Sequence, residues 1–234
     1  MNSYDFIVIG SGSAGGVLAN RLSTDPENKV LLLEAGPSSH WLSPIPAGVK
    51  RLVSDPKANW CYHTSPQAVL DGRVLDIPRG RLLGGSSAIN GSVFVRGQPR
   101  DYDTWAQLGN RGWSFDDVLP AFRRMEHYES GADAWRAQGG PLLVSHTKDQ
   151  NPLYDALFDA GAQVGLGRNA DYNGATQEGM CMAQATISNG KRMSVAHCYV
   201  RRARRWRLPS ISTSLPMSLI GIQPSMPSGL RASW

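Results

Sequence analysis

The sequence predicts an α/β fold whose first part is a strand-helix-strand unit with parallel strands. An apolar run at residues 4–10 ends in glycine, which is typical of a strand buried on both faces of a parallel sheet. A helix from about Ala14 to Ser23 follows, with apolar and small residues at helical spacing, and Asp25 and Pro26 end it. A second apolar run at residues 29–36 completes the unit.

The turn before that helix, IGSGSAGG, predicts a dinucleotide site. Gly10, Gly12 and Gly15 fit G-x-G-x-x-G, in which the glycines allow a tight turn, the approach of a pyrophosphate, and packing of the helix on the strand. The helix N-terminus would then face the phosphates. Glu34, 19 residues after Gly15, suits hydrogen bonds from a ribose hydroxyl pair. The pattern does not choose between NAD and FAD, and a packing turn without a ligand is the alternative.

A second glycine-rich stretch, GRLLGGSSAINGSVFVRGQPRDYD, covers residues 80–103. Gly84 and Gly85 begin a loop of small residues, and Asn90 begins a turn that leads into an alternating segment. Such a loop can lie against a planar ring or a diphosphate with its N–H groups exposed. The residues alone leave open whether it does so or is a structural turn.

This stretch resembles the first signature of the glucose-methanol-choline (GMC) oxidoreductase family. The segments DFIVIGSGSAGGVLANRLS, LLLEAGP, NWCYHTSPQ and DYDTWAQLGNRGWSFDDVLPAF are similar to its choline dehydrogenase and acceptor-linked alcohol dehydrogenase branch, and the resemblance runs from about Ser3 to Arg205. It implies a Rossmann-like FAD-binding domain with the beginning of an α+β substrate domain. The signature positions are Gly80, Arg81, Leu83, Gly84, Gly85, Ser86, Ser87, Ile89, Asn90, Phe94, Gly97 and Asp103.

The resemblance also implies which residues contact FAD. Some family members tether the flavin through a histidine in this loop, at a position that is Ile89 here, so the implied FAD is bound noncovalently. The implied contacts are Gly10, Gly12, Ser13, Ala14, Gly15, Glu34, Ala35, Leu82, Gly84, Gly85, Ser86, Asn90, Gly91, Ser92 and Val93.

The implied reaction is oxidation of choline or another primary alcohol to the aldehyde. In the family, a histidine takes the hydroxyl proton while hydride passes to the flavin. The catalytic residues of family members lie well beyond the last residue here, so we expect no catalytic residue in this chain, an incomplete enzyme, and an electron acceptor that the sequence does not identify. An FAD- or ADP-binding fragment without catalysis is the alternative. The five histidines lack a spacing to carboxylates that would orient their rings, and we expect structural roles for them: His40, His63, His127, His146 and His197.

The chain divides into four predicted parts. Residues 1–110 are the first part of the FAD-binding domain, 111–193 the start of a substrate-binding region, 194–205 a helix returning to the FAD domain, and 206–234 a disordered or out-of-frame tail rich in proline and serine. Ser114 and Asp117 predict a capping box. Pro152 predicts a second core-packing helix with Leu153, Leu157 and Phe158 on one face, and residues 180–187 predict a strand.

Composition indicates a soluble cytoplasmic protein. The 234 residues are 41% hydrophobic and 18% charged, the start lacks a basic leader, and no apolar run is long enough to span a bilayer. The three cysteines have no disulfide or zinc spacing, and no metal is predicted. Association with a membrane surface stays compatible with the sequence.

The net charge of +5 comes from the end of the chain, where eight basic residues and no acidic one follow Glu178. RRARRWR, at residues 201–207, fits either a nucleic-acid patch or the solvated face of a helix. We favour the solvated face and predict no nucleic-acid partner, because no nucleic-acid-binding fold accompanies it.

Overall fold

The computed structural model describes residues 3–201 and the backbone of residues 211–213. The strands in these residues are β1 (Phe6–Ile9), β2 (Val30–Leu33), β3 (Tyr62–His63), β4 (Asp76–Ile77), β5 (Glu126–Tyr128), β6 (Leu142–His146), β7 (Gln184–Ala185), β8 (Ile187–Ser188), β9 (Lys191–Arg192) and β10 (Ile211–Thr213). The α-helices are α1 (Gly15–Leu22), α2 (Val49–Leu52), α3 (Pro99–Gln107), α4 (Phe115–Met125) and α5 (Leu153–Gln163). Tighter or wider helical turns are formed by Pro46–Gly48, Ala68–Leu70, Gly85–Ala88 and Ala196–Val200.

The N-terminal unit has the predicted parallel arrangement. Strand β1 pairs with β2 in parallel, from Phe6 opposite Val30 to Ile9 opposite Leu33, and α1 connects the two strands. Ala19 on α1 is buried against β2, because its small side chain lets the helix approach the sheet closely. The predicted α/β fold class is confirmed.

Strand β1 is more exposed than its apolar sequence predicts. The side chains of Phe6, Ile7 and Ile9 are 39%, 59% and 63% exposed, and only Val8 packs against the core cluster. Strand β1 lies at the edge of the three-stranded sheet β1-β2-β10. The expectation that β1 is buried on both faces is therefore wrong for the described residues. An apolar run indicates that a strand can be buried, but it does not identify the elements that pack against it.

The predicted tail contains a strand. Strand β10 pairs in parallel with β2, with Ile211 opposite Val30 and Thr213 opposite Leu32. The expectation of an unstructured segment from residue 206 is therefore wrong at residues 211–213, where β-branched residues pair with an open strand edge. The rest of that prediction, residues 206–210 and 214–234, lies outside the described residues.

The main core joins the N-terminal unit to residues 193–200. Val195 and Val200 pack on α1, where a Cβ on Gly16 would lie 2.3 Å from a methyl carbon of Val195. The predicted returning helix is present as the π-helical turn Ala196–Val200, and Arg201 continues it. Its buried members are Ala196, Cys198, Tyr199 and Val200.

Predictions for the middle of the chain are confirmed in part. Ser114 and Asp117 form the capping box of α4, with Ser114 Oγ 3.3 Å from the Asp117 backbone nitrogen. Helix α5 begins after Pro152, but Leu153 and Leu157 are 71% and 57% exposed, so the expectation that this face packs in the core is wrong for the described residues. The start of a helix can be predicted from its capping residues, whereas burial of its apolar face depends on distant segments that pack against it.

The predicted strand at residues 180–187 is divided into shorter pieces. Met180 forms an isolated bridge with Arg168, β7 pairs antiparallel with β6, and β8 pairs with β9. Strands β5, β6 and β7 form one mixed sheet. The pairing partner therefore changes twice within what the alternation predicts to be one strand.

A buried ionic network fastens this mixed sheet. Glu126 is fully buried and accepts hydrogen bonds from Arg96 Nη2 at 2.7 Å and from Arg136 Nε at 3.1 Å. Arg136, also fully buried, donates to Asp171 Oδ1 at 2.7 Å and to Gln184 Oε1 at 2.9 Å. The network links five residues, which are spread from position 96 to position 184.

Asp171 should make the fold sensitive to acid. Burial raises the pKa of Asp171, but hydrogen bonds from Gln184, the Asn173 backbone and Arg136 outweigh burial, so the net pKa lies below its ordinary value of 3.8. A lowered pKa stabilises the fold at pH values above the unfolded pKa, and this stability is lost as the pH falls through the folded pKa. We expect Asp171→Asn to unfold more readily at pH 7 and to lose less stability than the wild type between pH 5 and pH 2, about the range over which such a carboxylate titrates. Circular dichroism melts across pH, with the exposed Glu178→Gln as control, measure this.

Candidate functional site

The glycines of the first loop have distinct geometric roles. Gly10 has a φ of 90°, in the left-handed region that favours glycine. A Cβ on Gly15 would lie 1.9 Å from the Gly10 carbonyl oxygen, so helix and strand pack closely only with glycine there. A Cβ on Gly12 would meet only Gly85 Cα, at 4.0 Å, so the space beside Gly12 is open. The loop is thus fixed by its first and third glycines and accessible at its second.

The N-terminus of α1 offers free hydrogen-bond donors. The backbone N–H groups of Ser13, Ala14 and Gly15 have no acceptor among residues 3–201, and Ser13 and Ala14 are exposed. The first turn carries no acidic side chain. Because the N-terminal end of a helix is also the positive end of its dipole, this end of α1 suits an anionic group such as a pyrophosphate.

Glu34 and Ser11 connect the two glycine-rich loops. Glu34 Oε2 accepts hydrogen bonds from the Ser11 backbone nitrogen at 2.9 Å and from Ser11 Oγ at 2.6 Å, and its Oε1 accepts from the Gly36 nitrogen at 2.9 Å. The buried Ser11 hydroxyl in turn accepts from the Gly84 nitrogen at 3.2 Å. A carboxylate accepts about four hydrogen bonds, so Oε1 retains one position for a ligand hydroxyl.

The second loop lies directly against the first. A Cβ on Gly85 would lie 2.7 Å from Gly12 Cα, and one on Gly84 would lie 3.0 Å from the Ala196 side chain. Ser86 Oγ accepts a hydrogen bond from the Gly80 nitrogen at 3.1 Å. The structure therefore brings together the predicted residues of both loops, and close backbone contact explains why both are rich in glycine.

Leu82, Ile89 and Ala35 border these loops. The Leu82 side chain is 1% exposed, packs with Leu52 and Ala88, and lines a cavity of about 330 Å³ together with Arg192. Ile89 is 2% exposed in the same apolar cluster, whereas Ala35, next to Glu34, is partly exposed. The structure thus places Ile89, the residue that the resemblance puts at the tethering position, in the core.

Residues 90–93 form a turn with unused donors. Ser92 has a φ of 65°, and its nitrogen donates to Asn90 Oδ1 at 3.1 Å. Asn90, Gly91 and Val93 are exposed, and the N–H groups of Gly91 and Val93 have no acceptor in residues 3–201. Donors of this kind suit the carbonyl oxygens and ring nitrogens of a flavin.

Two polar residues of the site, Ser11 and Arg192, were not predicted from the sequence. Ser11 occupies a variable position of the glycine pattern, and Arg192 lies 100 residues or more from its partners Asn90 and Ser92. Neither has a local signal, because the hydrogen bonds that define its role are visible only in the folded chain.

The arrangement passes a test of fit to FAD. The free N–H groups at α1 suit a pyrophosphate, Glu34 Oε1 suits a ribose hydroxyl, and the open space at Gly12 and Gly91 admits a ligand close to the backbone. The free backbone N–H groups of Gly91 and Val93 suit a second polar ring system.

The comparison with family models decides the identity. The GMC oxidoreductase model matches residues 4–213. The chain belongs to the GMC oxidoreductase family. The match extends past Arg205, where we expected the resemblance to end, and includes β10.

Curated relatives of this GMC chain include choline dehydrogenases. The oxygen-dependent choline dehydrogenase of Rhizobium etli is 45% identical over 200 residues, which are 85% of this chain and 36% of that protein. The mitochondrial choline dehydrogenase of Homo sapiens is 45% identical over 210 residues, 86% of this chain and 35% of that protein. The chain thus spans about a third of the length of these relatives.

Two solved structures of oxidoreductases superimpose on the chain. Pyridoxine 4-oxidase from Mesorbium loti superimposes with a TM-score of 0.83 and is 34% identical in sequence. The match covers 90% of this chain and 42% of the oxidase. An FAD-dependent oxidoreductase from Chaetomium thermophilum has a TM-score of 0.79 at 28% identity, and the match covers 91% of this chain and 38% of that protein.

The histidines have partners that the sequence does not predict. His40 Nε2 lies 3.1 Å from Asp55 Oδ2, and His63 Nδ1 lies 2.8 Å from Asp76 Oδ1. These carboxylates are 15 and 13 residues away in the sequence, and turns and the β3-β4 hairpin bring them beside the rings. The expectation that the histidines have surface or structural roles stays a prediction.

No group of three or more metal-ligating side chains occurs in the described part of the chain, and Cys61 and Cys181 there are free thiols. None of the helices in residues 3–201 is long and apolar enough to cross a bilayer.

Proposed function

We propose that this chain binds FAD noncovalently and forms the cofactor-holding part of an oxidoreductase that acts on the CH–OH group of a primary alcohol. The observation that carries the proposal is the convergence of three features: the free N-terminus of α1, the Glu34 carboxylate with one acceptor position left, and a second glycine loop in contact with Gly12. Choline is our first candidate substrate, because the curated relatives at 45% identity are named choline dehydrogenases.

Each part of the site has a role in this proposal. The N–H groups of residues 13–15 hold the pyrophosphate, Glu34 accepts from a ribose hydroxyl, and the second loop with residues 90–93 faces the flavin. FAD, when bound, supplies the hydride acceptor. We assign no proton-accepting catalytic residue to this chain, so substrate oxidation needs a base from elsewhere.

The absorption spectrum of the purified chain tests the cofactor. After incubation with FAD and removal of the free cofactor, we expect visible flavin bands in a ratio of one FAD per chain. Absence of those bands at every FAD concentration tried would reject the proposal.

Choline added under anaerobic conditions separates catalysis from binding alone. We expect the flavin bands of the loaded chain to persist, since the chain supplies no base. Bleaching of these bands by choline would show that a base is present and would contradict the assignment.

Other parts of the proposal rest on the sequence. The electron acceptor is open, and a cytoplasmic location is supported by the cysteine pattern alone. The basic segment that raises a nucleic-acid alternative, residues 201–207, lies outside the described residues except for Arg201.

Loss of the Glu34 carboxylate should weaken FAD binding without removing it. Glu34→Ala deletes an acceptor of the ribose and releases Ser11, so we expect a loss of about 1–3 kcal/mol in binding free energy, roughly 5- to 150-fold in Kd. Fluorescence titration with FAD measures it. The exposed Glu27→Ala, which removes the same charge between α1 and β2, should leave the Kd unchanged. An unaltered Kd for Glu34→Ala would show that the carboxylate only stabilises the loop, through Ser11 and Gly36, and does not bind the ribose.

A further inference from the structure

Arg192 is a buried cation that has no carboxylate partner among the described residues. Its residue is 3% exposed, yet its hydrogen bonds in the described structure all go to neutral oxygens. Arg96 and Arg136, the other arginines that are buried in the described part of the chain, both pair with Glu126. Burial lowers the pKa of Arg192 from its ordinary value, as expected for a charge removed from water without compensation.

The bonds of Arg192 converge on the turn at residues 90–93. Its Nη1 donates to the Asn90 carbonyl oxygen, to Asn90 Oδ1 at 2.8 Å and to Ser92 Oγ at 2.7 Å. Its Nε donates to the Ser43 carbonyl oxygen at 3.0 Å, which anchors the guanidinium from the opposite side. Nη2 is buried and has no partner among the described residues.

The turn needs such support because its backbone is in an uncommon conformation. Ser92 has a φ of 65°, which residues with a side chain rarely adopt. The Thr186 nitrogen donates to the Ser92 carbonyl oxygen at 2.8 Å, so the turn is held from two sides.

These contacts also orient the Asn90 amide. Arg192 Nη1 and the Ser92 nitrogen both donate to Asn90 Oδ1, so the amide oxygen is the acceptor at this position and Nδ2 is directed away from Arg192. Asn90 is exposed, and the Nδ2 donor is left for a ligand.

We infer that Arg192 is a positioning residue for the flavin ring, because it holds the turn at residues 90–93 so that Asn90 Nδ2 and the backbone N–H groups of Gly91 and Val93 face the ring. The inference rests on the proposed function, because it takes the ligand to be FAD. It assigns Arg192 no contact with the pyrophosphate half. The consequence is a selective one: Arg192 supports binding of the flavin half of FAD and not of the ADP half.

Binding of FAD and of ADP to the same purified 234-residue chain tests this separation. For Arg192→Gln we expect the Kd for FAD to rise about tenfold, as for loss of donors held by a charged group, and the Kd for ADP to change less than about twofold. Difference spectra of the bound flavin should also shift toward those of free FAD. Lys191→Gln, which removes the same charge from the neighbouring exposed position, should leave both constants and the spectrum unchanged.

Two further variants keep the test decisive. Arg192→Lys retains the charge but not the forked donors, so we expect it to resemble Arg192→Gln. Ser92→Ala removes a single acceptor of Arg192 and should raise the Kd for FAD about threefold even if Arg192→Gln fails to fold.

The possible results separate the inference from the proposed function. Equal weakening of FAD and ADP by Arg192→Gln, full rescue by lysine, or equal wild-type affinities for FAD and ADP would overturn the positioning role and leave the FAD site in place. A wild-type chain that binds neither ligand would overturn the proposed function and this inference with it.

Discussion

Replacing Gly12 by valine should abolish FAD binding while leaving the fold intact. A Cβ at Gly12 would meet only Gly85 Cα, at 4.0 Å, so we expect the fold to accommodate the substitution. The valine side chain would occupy the space through which a pyrophosphate approaches the loop. We expect the Kd for FAD to rise by about 100-fold or more, as for loss of several charge-assisted hydrogen bonds, and the flavin bands to disappear from the purified protein.

The control for Gly12→Val is the same substitution at an open glycine elsewhere. Gly167 is exposed, has an ordinary φ and has no atom within 4 Å of a Cβ, so Gly167→Val should keep both fold and FAD. Because Gly12 faces the pyrophosphate, Gly12→Val should lose ADP as well as FAD, in contrast to Arg192→Gln. A Gly12→Val chain that retains one FAD per molecule would mean that the loop is a packing turn.

The glycine pattern allowed the first loop to be predicted because each glycine acts locally. A positive φ at Gly10 and the contact of Gly15 with the Gly10 carbonyl follow from a tight turn between a strand and a helix. The same reasoning succeeded for the capping box at Ser114, which involves residues three positions apart. Features confined to one turn of backbone are encoded by neighbouring residues.

Contacts between distant segments were beyond such reasoning. The link from Glu34 through Ser11 to Gly84 joins positions 23 and 73 residues apart. Whether β1 and α5 are buried depends on distant segments, whose position cannot be predicted from the local sequence pattern. The apolar residues of β1 and α5 are exposed, which shows that periodicity predicts an apolar face but not the element that packs on it. Strand β10 was missed for a related reason, since three residues gain their strand conformation from β2.

The buried charges around Glu126 were also invisible in the sequence. Glu126 follows a helix with charged neighbours and has no local sign of burial, yet it is fully buried. Arg96 Nη2 and Arg136 Nε reach it from segments 30 and 10 residues away. The Arg136 guanidinium carbon also lies 3.6 Å from the centre of the Tyr128 ring. The Glu126 carboxylate therefore compensates part of the free-energy cost of burying the two guanidinium groups.

Substituting Glu126 by glutamine should be the most destabilising single change in the network. The variant keeps the shape of the side chain but leaves the charges of Arg96 and Arg136 without their shared carboxylate, and breaking a buried ion pair in this way costs about 3–5 kcal/mol. Chemical denaturation should show this loss in the free energy of unfolding. Asp159→Asn, which breaks the exposed pair with Arg168, should lose less than about 1 kcal/mol. Adding Arg96→Met to Glu126→Gln should recover part of the stability, because Glu126 is the carboxylate partner of Arg96 among the described residues, whereas Arg136 also pairs with Asp171. A Glu126→Gln chain as stable as the wild type would show that water or relaxation of the fold compensates the two arginines.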